Sequence, residues 1–240
     1  MISMMVQCLS IVFLIFLISA RVHPVLAAPF DPPPNNDAPS STAGGASRPA
    51  GSGCTFDESS GLKATALAPQ TFVGLTSQST PALWLYLPNN QGETIELTVF
   101  DQDLNDLSQF LVSSPEAHGF LAIDLSEYFT LSIDVPYYWT AAFICNPSRR
   151  VEDWVVGGWI QYQPMPTSDQ QALQSLTPSD QVSQYMDSGY WYDAFAIMQL
   201  LVETEPSSPE VEATWNTLIR QAELQLPWFD INHGRHTQKP

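Results

Sequence analysis

Apolar residues recur along this chain with two different periods, and the change of period divides it. Between 54 and 163 they alternate. Ile95, Leu97 and Val99 interleave with Thr94, Glu96, Thr98 and Phe100, the period-two pattern of a strand with one wetter face. Leu83, Leu85 and Leu87 stand opposite Trp84 and Tyr86 in another strand over 81–87, ended by Pro88-Asn89-Asn90-Gln91-Gly92. An Asn-rich tetrad with glycine is hairpin chemistry. Further strands fit 63–68, 107–113, 119–125, 137–145 and 151–162. Short strands with turn signals between them predict a two-sheet antiparallel sandwich over 54–163, immunoglobulin-like in layout.

Residues 167–230 switch to the helical period, which makes the fold α+β. Thr177-Pro178-Ser179-Asp180 is a helix start: threonine caps, proline occupies the first turn, and an acid follows three residues after the cap. Gly189 breaks the chain, and Trp191, Ala194, Phe195, Met198, Leu201 and Val202 then form a broad apolar stripe. Pro206-Ser207-Ser208-Pro209 stops that helix and caps the next, where Val211, Trp215, Leu218 and Ala222 share a face. A short leading helix fits 169–175. Gly189, the small Ala194 five positions on and the later Pro206 punctuate this stretch as a tetratricopeptide-type hairpin is punctuated. A solenoid of such hairpins needs at least about three repeats to bury its faces. This stretch holds about one and a half, so the helical module is expected to dock on the sandwich.

The ends of the chain carry other signals. Ile11 to Ile18 is an unbroken apolar run, and Val25-Leu26-Ala27 offers the small residues a signal peptidase reads. Cleavage is expected after Ala27, although no Lys or Arg precedes the apolar run. An uncleaved anchor is the alternative, but Arg21, His23 and Pro24 leave too few apolar residues to span a bilayer. Export therefore places the protein in the periplasm or outside the cell, with no membrane span after cleavage. Residues 28–53, rich in Pro, Gly and Ser, are expected to be a disordered linker, and 231–240 a polar tail.

Charge narrows the partners. The chain has 25 acidic and 8 basic side chains among 240 residues, a formal net charge of −17, and removal of 1–27 takes away Arg21 and no acid. Such a surface repels the phosphates of nucleic acid and an anionic membrane. Only 14% of residues are charged while 44% are hydrophobic, so a sizeable core is available. Cys8 leaves with the targeting segment, and Cys54 and Cys145 remain as one even pair in an oxidising compartment. A bridge between them would close a loop of about 90 residues, worth about 4–5 kcal/mol in the chain-entropy model. The alternative is two buried thiols.

Several blocks in order carry a family resemblance. Tyr137-Tyr138-Trp139, Cys145-Asn146-Pro147, Val155-Val156-Gly157-Gly158-Trp159-Ile160 and Gly189-Tyr190-Trp191-Tyr192-Asp193-Ala194 are together similar to the cyanobacterial domain-of-unknown-function family 928. Cys54, Leu67-Ala68-Pro69, Leu85-Tyr86-Leu87-Pro88 and Asp101 fit the same pattern, so the likeness covers roughly 54–220. The resemblance implies an exported bacterial protein with no established activity. The chain departs from the pattern at Tyr190, where an aliphatic residue is expected, and at Gln161-Tyr162-Gln163, where a basic one is.

No catalytic constellation emerges. There is no Gly-x-Ser-x-Gly elbow and no His-Glu-x-x-His, and past residue 27 the histidines are His118, His233 and His236. No cofactor is implied, and the chain is expected not to be an enzyme. Asp101, Asp103 and Asp106 form an acidic cluster whose alternating oxygens could wrap a hard cation. Asp106 stands where an EF-hand needs glycine and Val112 where it needs glutamate, so an EF-hand is excluded and a solvated turn is the plain alternative. Tyr190, Trp191 and Tyr192 cannot all face inward on one turn and helix start. At least one of these rings is expected to be exposed to a partner or to seal the seam between the halves. Two functional classes follow: a non-enzymatic interaction module for a protein or peptide partner in the cell envelope, or a carbohydrate- or calcium-binding accessory sandwich.

Overall fold

A computed structural model describes residues 63–88, 94–113, 119–224 and 226. The helix-period and strand-period regions are both present, as two β-sheets followed by four helices. The strands are β1 (Thr65–Ala66), β2 (Gly74–Thr76), β3 (Ala82–Leu87), β4 (Thr94–Phe100), β5 (Asp106–Ser113), β6 (Gly119–Asp124), β7 (Pro136–Ile144) and β8 (Trp154–Tyr162). The helices are α1 (Thr167–Leu173), α2 (Pro178–Asp187), α3 (Trp191–Thr204) and α4 (Pro209–Gln221).

One sheet has three strands in the order β1-β3-β6, and the other five in the order β2-β8-β7-β4-β5. All pairings are antiparallel except β2 with β8. β3 and β4 therefore lie in different sheets and do not form the hairpin that Asn89 to Gly92 suggested. Turn residues reverse the chain, but they do not decide whether the next strand pairs with the last or crosses to the facing sheet. Both strands bury an alternating apolar row, and placing them in opposite sheets sets Leu83, Leu85 and Leu87 against the core that Ile95, Leu97 and Val99 also enter. β2 is an addition to the expected strands: three residues are too short for any period to show. β1 is shorter than 63–68, and β8 begins only after a 3-10 turn over Arg150–Glu152.

The interior between the sheets is closed by the alternate residues of β7. Trp139, Ala141 and Phe143 are each 0% exposed. The opposite face of the three-stranded sheet is covered in turn by helices. Register sets Trp84 beside Ala122 and Tyr86 beside Phe120 on that face. The Trp84 and Phe120 rings each lie 5.9 Å from Phe195 of α3, and Phe120 lies 5.7 Å from Trp215 of α4. The layers are thus five strands, three strands and helices, sharing one continuous core.

Local chemistry explains the helix bounds. Thr177 caps α2 by accepting from the Asp180 amide at 3.2 Å, and its hydroxyl donates to the Asp180 carboxylate at 2.7 Å. Ser208 caps α4, whose first residue is Pro209. Gly189 holds φ at +81°, the left-handed turn between α2 and α3 that a side chain disfavours. Among the described residues no helix is long and apolar enough to cross a membrane.

Candidate functional site

The Gly189–Ala194 block lies at the seam, and it faces inward. Tyr190, Trp191 and Tyr192 are 7%, 3% and 2% exposed. The expectation that one of these rings meets a partner is corrected here: all three are consumed by the protein itself. The first turn of α3 penetrates the edge of the sandwich, so every ring finds a β-strand or loop to cover it. Sequence periodicity counted one apolar face per element and missed that α3 is covered on several sides at its start.

Polar atoms of the block are matched as closely as its rings. The Tyr192 hydroxyl receives the Trp139 indole N–H at 2.9 Å and donates to the Trp159 carbonyl at 3.0 Å, both in the buried interior. Burial pushes the Tyr192 phenol well above its ordinary range. The Trp191 indole donates to the Leu67 carbonyl at 3.0 Å, and the Leu75 amide to the Gly189 carbonyl at 3.0 Å. Asp193 accepts the Ser77 amide at 2.9 Å and also the Ser77 hydroxyl. Burial raises the Asp193 carboxyl above the usual range, and the donors from Ser77 and Thr76 offset part of that rise. The seam therefore joins Leu67, Leu75, Ser77, Trp139 and Trp159 to Gly189, Trp191, Tyr192 and Asp193 of one turn.

Gly158, in the Val155–Ile160 block, is required by the same packing. A Cβ there would lie 2.4 Å from the Ala68 Cβ, with the Tyr192 hydroxyl 3.7 Å away. Neither alanine nor the strand backbone has freedom to yield.

The acidic cluster is a turn. Asp101 accepts the backbone amides of Asp103 and Asn105 and the Asn105 side-chain amide, each at 2.9 Å. These donors, the Asn105 side chain first, hold its carboxyl below the usual range. The turn joins β4 to β5 and places Leu104 at φ +62°. Among the described residues no three of His, Cys, Asp and Glu form a group that could hold a metal ion. Asp101, Asp103 and Asp106 are therefore not brought together as ligands, because Asp101 spends its oxygens on the loop's own donors.

Two surfaces that the sequence did not single out have the geometry of sites. The first is the outer face of the five-stranded sheet. Register aligns Leu111, Glu96, Ala142 and Val155 in one row across β5, β4, β7 and β8. Leu111 is 61% exposed, Leu107 47% and Val155 39%. Arg150 spans this face, paired with Glu96 at 2.9 Å and with Asp153 at 2.5 Å. β5 is the last strand of its sheet, eight residues long, with no strand on its far side among the described residues. Natural edges of that length usually carry charge or proline. Here charge stops at Asp106, and Leu107 to Ser113 has none.

The second is a cleft of about 300 Å³ where α3 separates from the three-stranded sheet. Ala82, Trp84, Ala122 and Asp124 form its sheet wall, and Asp193 and Ala196 its helix wall. Three alanines at this contact leave space that larger side chains would fill. Asp124 caps the following 3-10 turn by accepting the Ser126 amide at 2.8 Å, which holds its carboxyl below the usual range. The Trp84 indole nitrogen is buried without a hydrogen-bond partner among the described residues. An orphan of that kind costs about 1–3 kcal/mol.

Cys54 lies outside the described residues, as do the targeting segment, the linker and the polar tail. Cys145 follows β7 and packs, half-buried, against the main core. No curated protein matches the chain. Its sequence matches the family described as Domain of Unknown Function (DUF928) over residues 43–230. That span contains the interlocked β-sheets, all four helices and the buried Gly-Tyr-Trp-Tyr-Asp-Ala turn, and the chain belongs to the DUF928 family.

Proposed function

We propose that this protein is a non-enzymatic binding module, exported to the cell envelope, which holds a protein or peptide partner on the outer face and free edge of its five-stranded sheet. The observation that carries the reading is β5, a long edge strand without charge past Asp106 on which Leu107 and Leu111 are exposed. An extended peptide adds to such an edge by main-chain hydrogen bonds, and alternate side chains supply specificity. The acidity of the chain as a whole favours a partner with basic residues flanking that peptide. In the same reading the sandwich is immunoglobulin-like, the helices derive from a tetratricopeptide-like hairpin, and their aromatic turn fastens the two together instead of facing the partner.

Export fits a bridge from Cys54 to Cys145. The pairing of Cys145 with Cys54 is part of the proposal. Thiol titration of the secreted protein before and after reduction tests this part, with no free thiol expected before.

The binding reading is tested by affinity purification of the tagged full chain from its native envelope. The wild type is expected to recover a defined protein that the double variant Leu107→Lys, Leu111→Lys loses. Equal recovery by both forms, or no protein with either, contradicts the reading.

A further inference from the structure

We propose that the cleft between the three-stranded sheet and α3 binds a neutral, hydroxyl-rich ligand of about the size of one sugar ring. This site is separate from the sheet face assigned above to a protein partner. Its lining holds two carboxylates, Asp124 and Asp193, and no basic group, so an anion is repelled. The Thr80 hydroxyl adds a group that both donates and accepts, whereas the Thr76 hydroxyl is already engaged with Asp193 and the Gln78 amide. Trp84 supplies an aromatic wall and the orphaned indole N–H.

That N–H decides between the two ligand classes that suit an acidic cleft. A simple ammonium ion would satisfy the carboxylates but has no acceptor for an indole donor, whose N–H dipole it also opposes. A polyol offers hydroxyl hydrogens to the carboxylates and hydroxyl oxygens to Trp84. The indole nitrogen has no exposed surface, so its engagement by a ligand includes a turn of the Trp84 ring as part of the proposal. The volume lies at the lower limit for small-molecule sites, which suits one ring and not a chain. The buried Asp193, raised in proton affinity by desolvation and held by Ser77, is a rigid acceptor already in place.

The test is a titration of the ¹⁵N-labelled full chain followed at the Trp84 indole N–H resonance. The probes are D-glucose, D-galactose, N-acetyl-D-glucosamine and, as the cationic arm, tetramethylammonium chloride. At least one sugar is expected to move the resonance saturably, with a Kd on the order of 1 mM. Trp84→Phe, followed by ligand-observed saturation transfer, is expected to weaken that sugar about tenfold. Ala122→Leu plugs the cleft from an exposed strand position and is expected to abolish binding while leaving the remaining tryptophan resonances in place. No saturable shift with any of the three sugars overturns the proposal. So does saturation by tetramethylammonium alone, or sugar binding that survives Ala122→Leu undiminished.

Discussion

Removing one oxygen atom from the seam tests whether its polar matching stabilises the fold. In Tyr192→Phe the ring and its packing remain, and only the hydroxyl that joins Trp139 to Trp159 is lost. The Trp139 indole is a donor with a single hydrogen, and the variant leaves it in an interior where Trp139 is 0% exposed. Its full desolvation penalty, about 1–3 kcal/mol, then appears as lost stability. The Trp159 carbonyl lies in a strand and retains a second lone pair, so it adds a smaller amount. The sum is about 2–4 kcal/mol. For a domain of this size each kcal/mol moves Tm by about 2–4 °C, which predicts a fall of roughly 5–15 °C. Urea unfolding followed by tryptophan fluorescence measures it. Tyr128→Phe, at a half-exposed ring stacked on Phe110, is the control and is expected to stay within about 0.5 kcal/mol of wild type. If Tyr192→Phe also falls within about 0.5 kcal/mol, the hydroxyl bridge contributes nothing and the reasoning fails.

Two further outcomes follow from the same turn. Gly158→Ala forces a Cβ onto Ala68 and is expected to destabilise by about 1–3 kcal/mol, read as a lower urea midpoint with an unchanged slope. Asp193 gives a pH signature. Its folded carboxyl binds a proton more readily than the unfolded one, so its contribution is greatest below the unfolded value near 4 and declines as pH rises through the raised folded value. The stability of wild type relative to Asp193→Asn, which does not titrate, is therefore expected to grow as pH falls from 7 toward 4. A difference that is flat or shrinks over that range removes the desolvation argument.

Much of the architecture was legible in the sequence because burial imposes a period. The Ile95-Leu97-Val99 alternation and the 191–202 stripe each mark a buried face, and those residues are at most 4% exposed. Caps at Thr177 and Ser208 were legible because their hydrogen bonds are local. β2 was not, since its three residues owe their conformation to β8 and to Gly189 rather than to their own pattern. The role of Tyr190, Trp191 and Tyr192 was half legible: the seam was one of two expected destinations, and periodicity could not reveal how many elements converge there. The cleft gave no signal. Its walls come from β3, β6 and α3, which are distant from one another in sequence, and its space is made by alanines that look ordinary one at a time. At Asp101 the solvated-turn alternative is the one seen, since its carboxylate bonds to donors of its own loop.

The central claim is that sandwich and helices are one cooperative unit fastened by the 189–194 turn. Native-state hydrogen exchange, with opening free energies compared between the amides of α3 and α4 and those of β7 and β8, tests it most directly. The slowest amides in all four elements are expected to open with the same free energy, equal to that of global unfolding. Helical amides that exchange through a separate, lower-energy opening while β7 and β8 stay protected would contradict it.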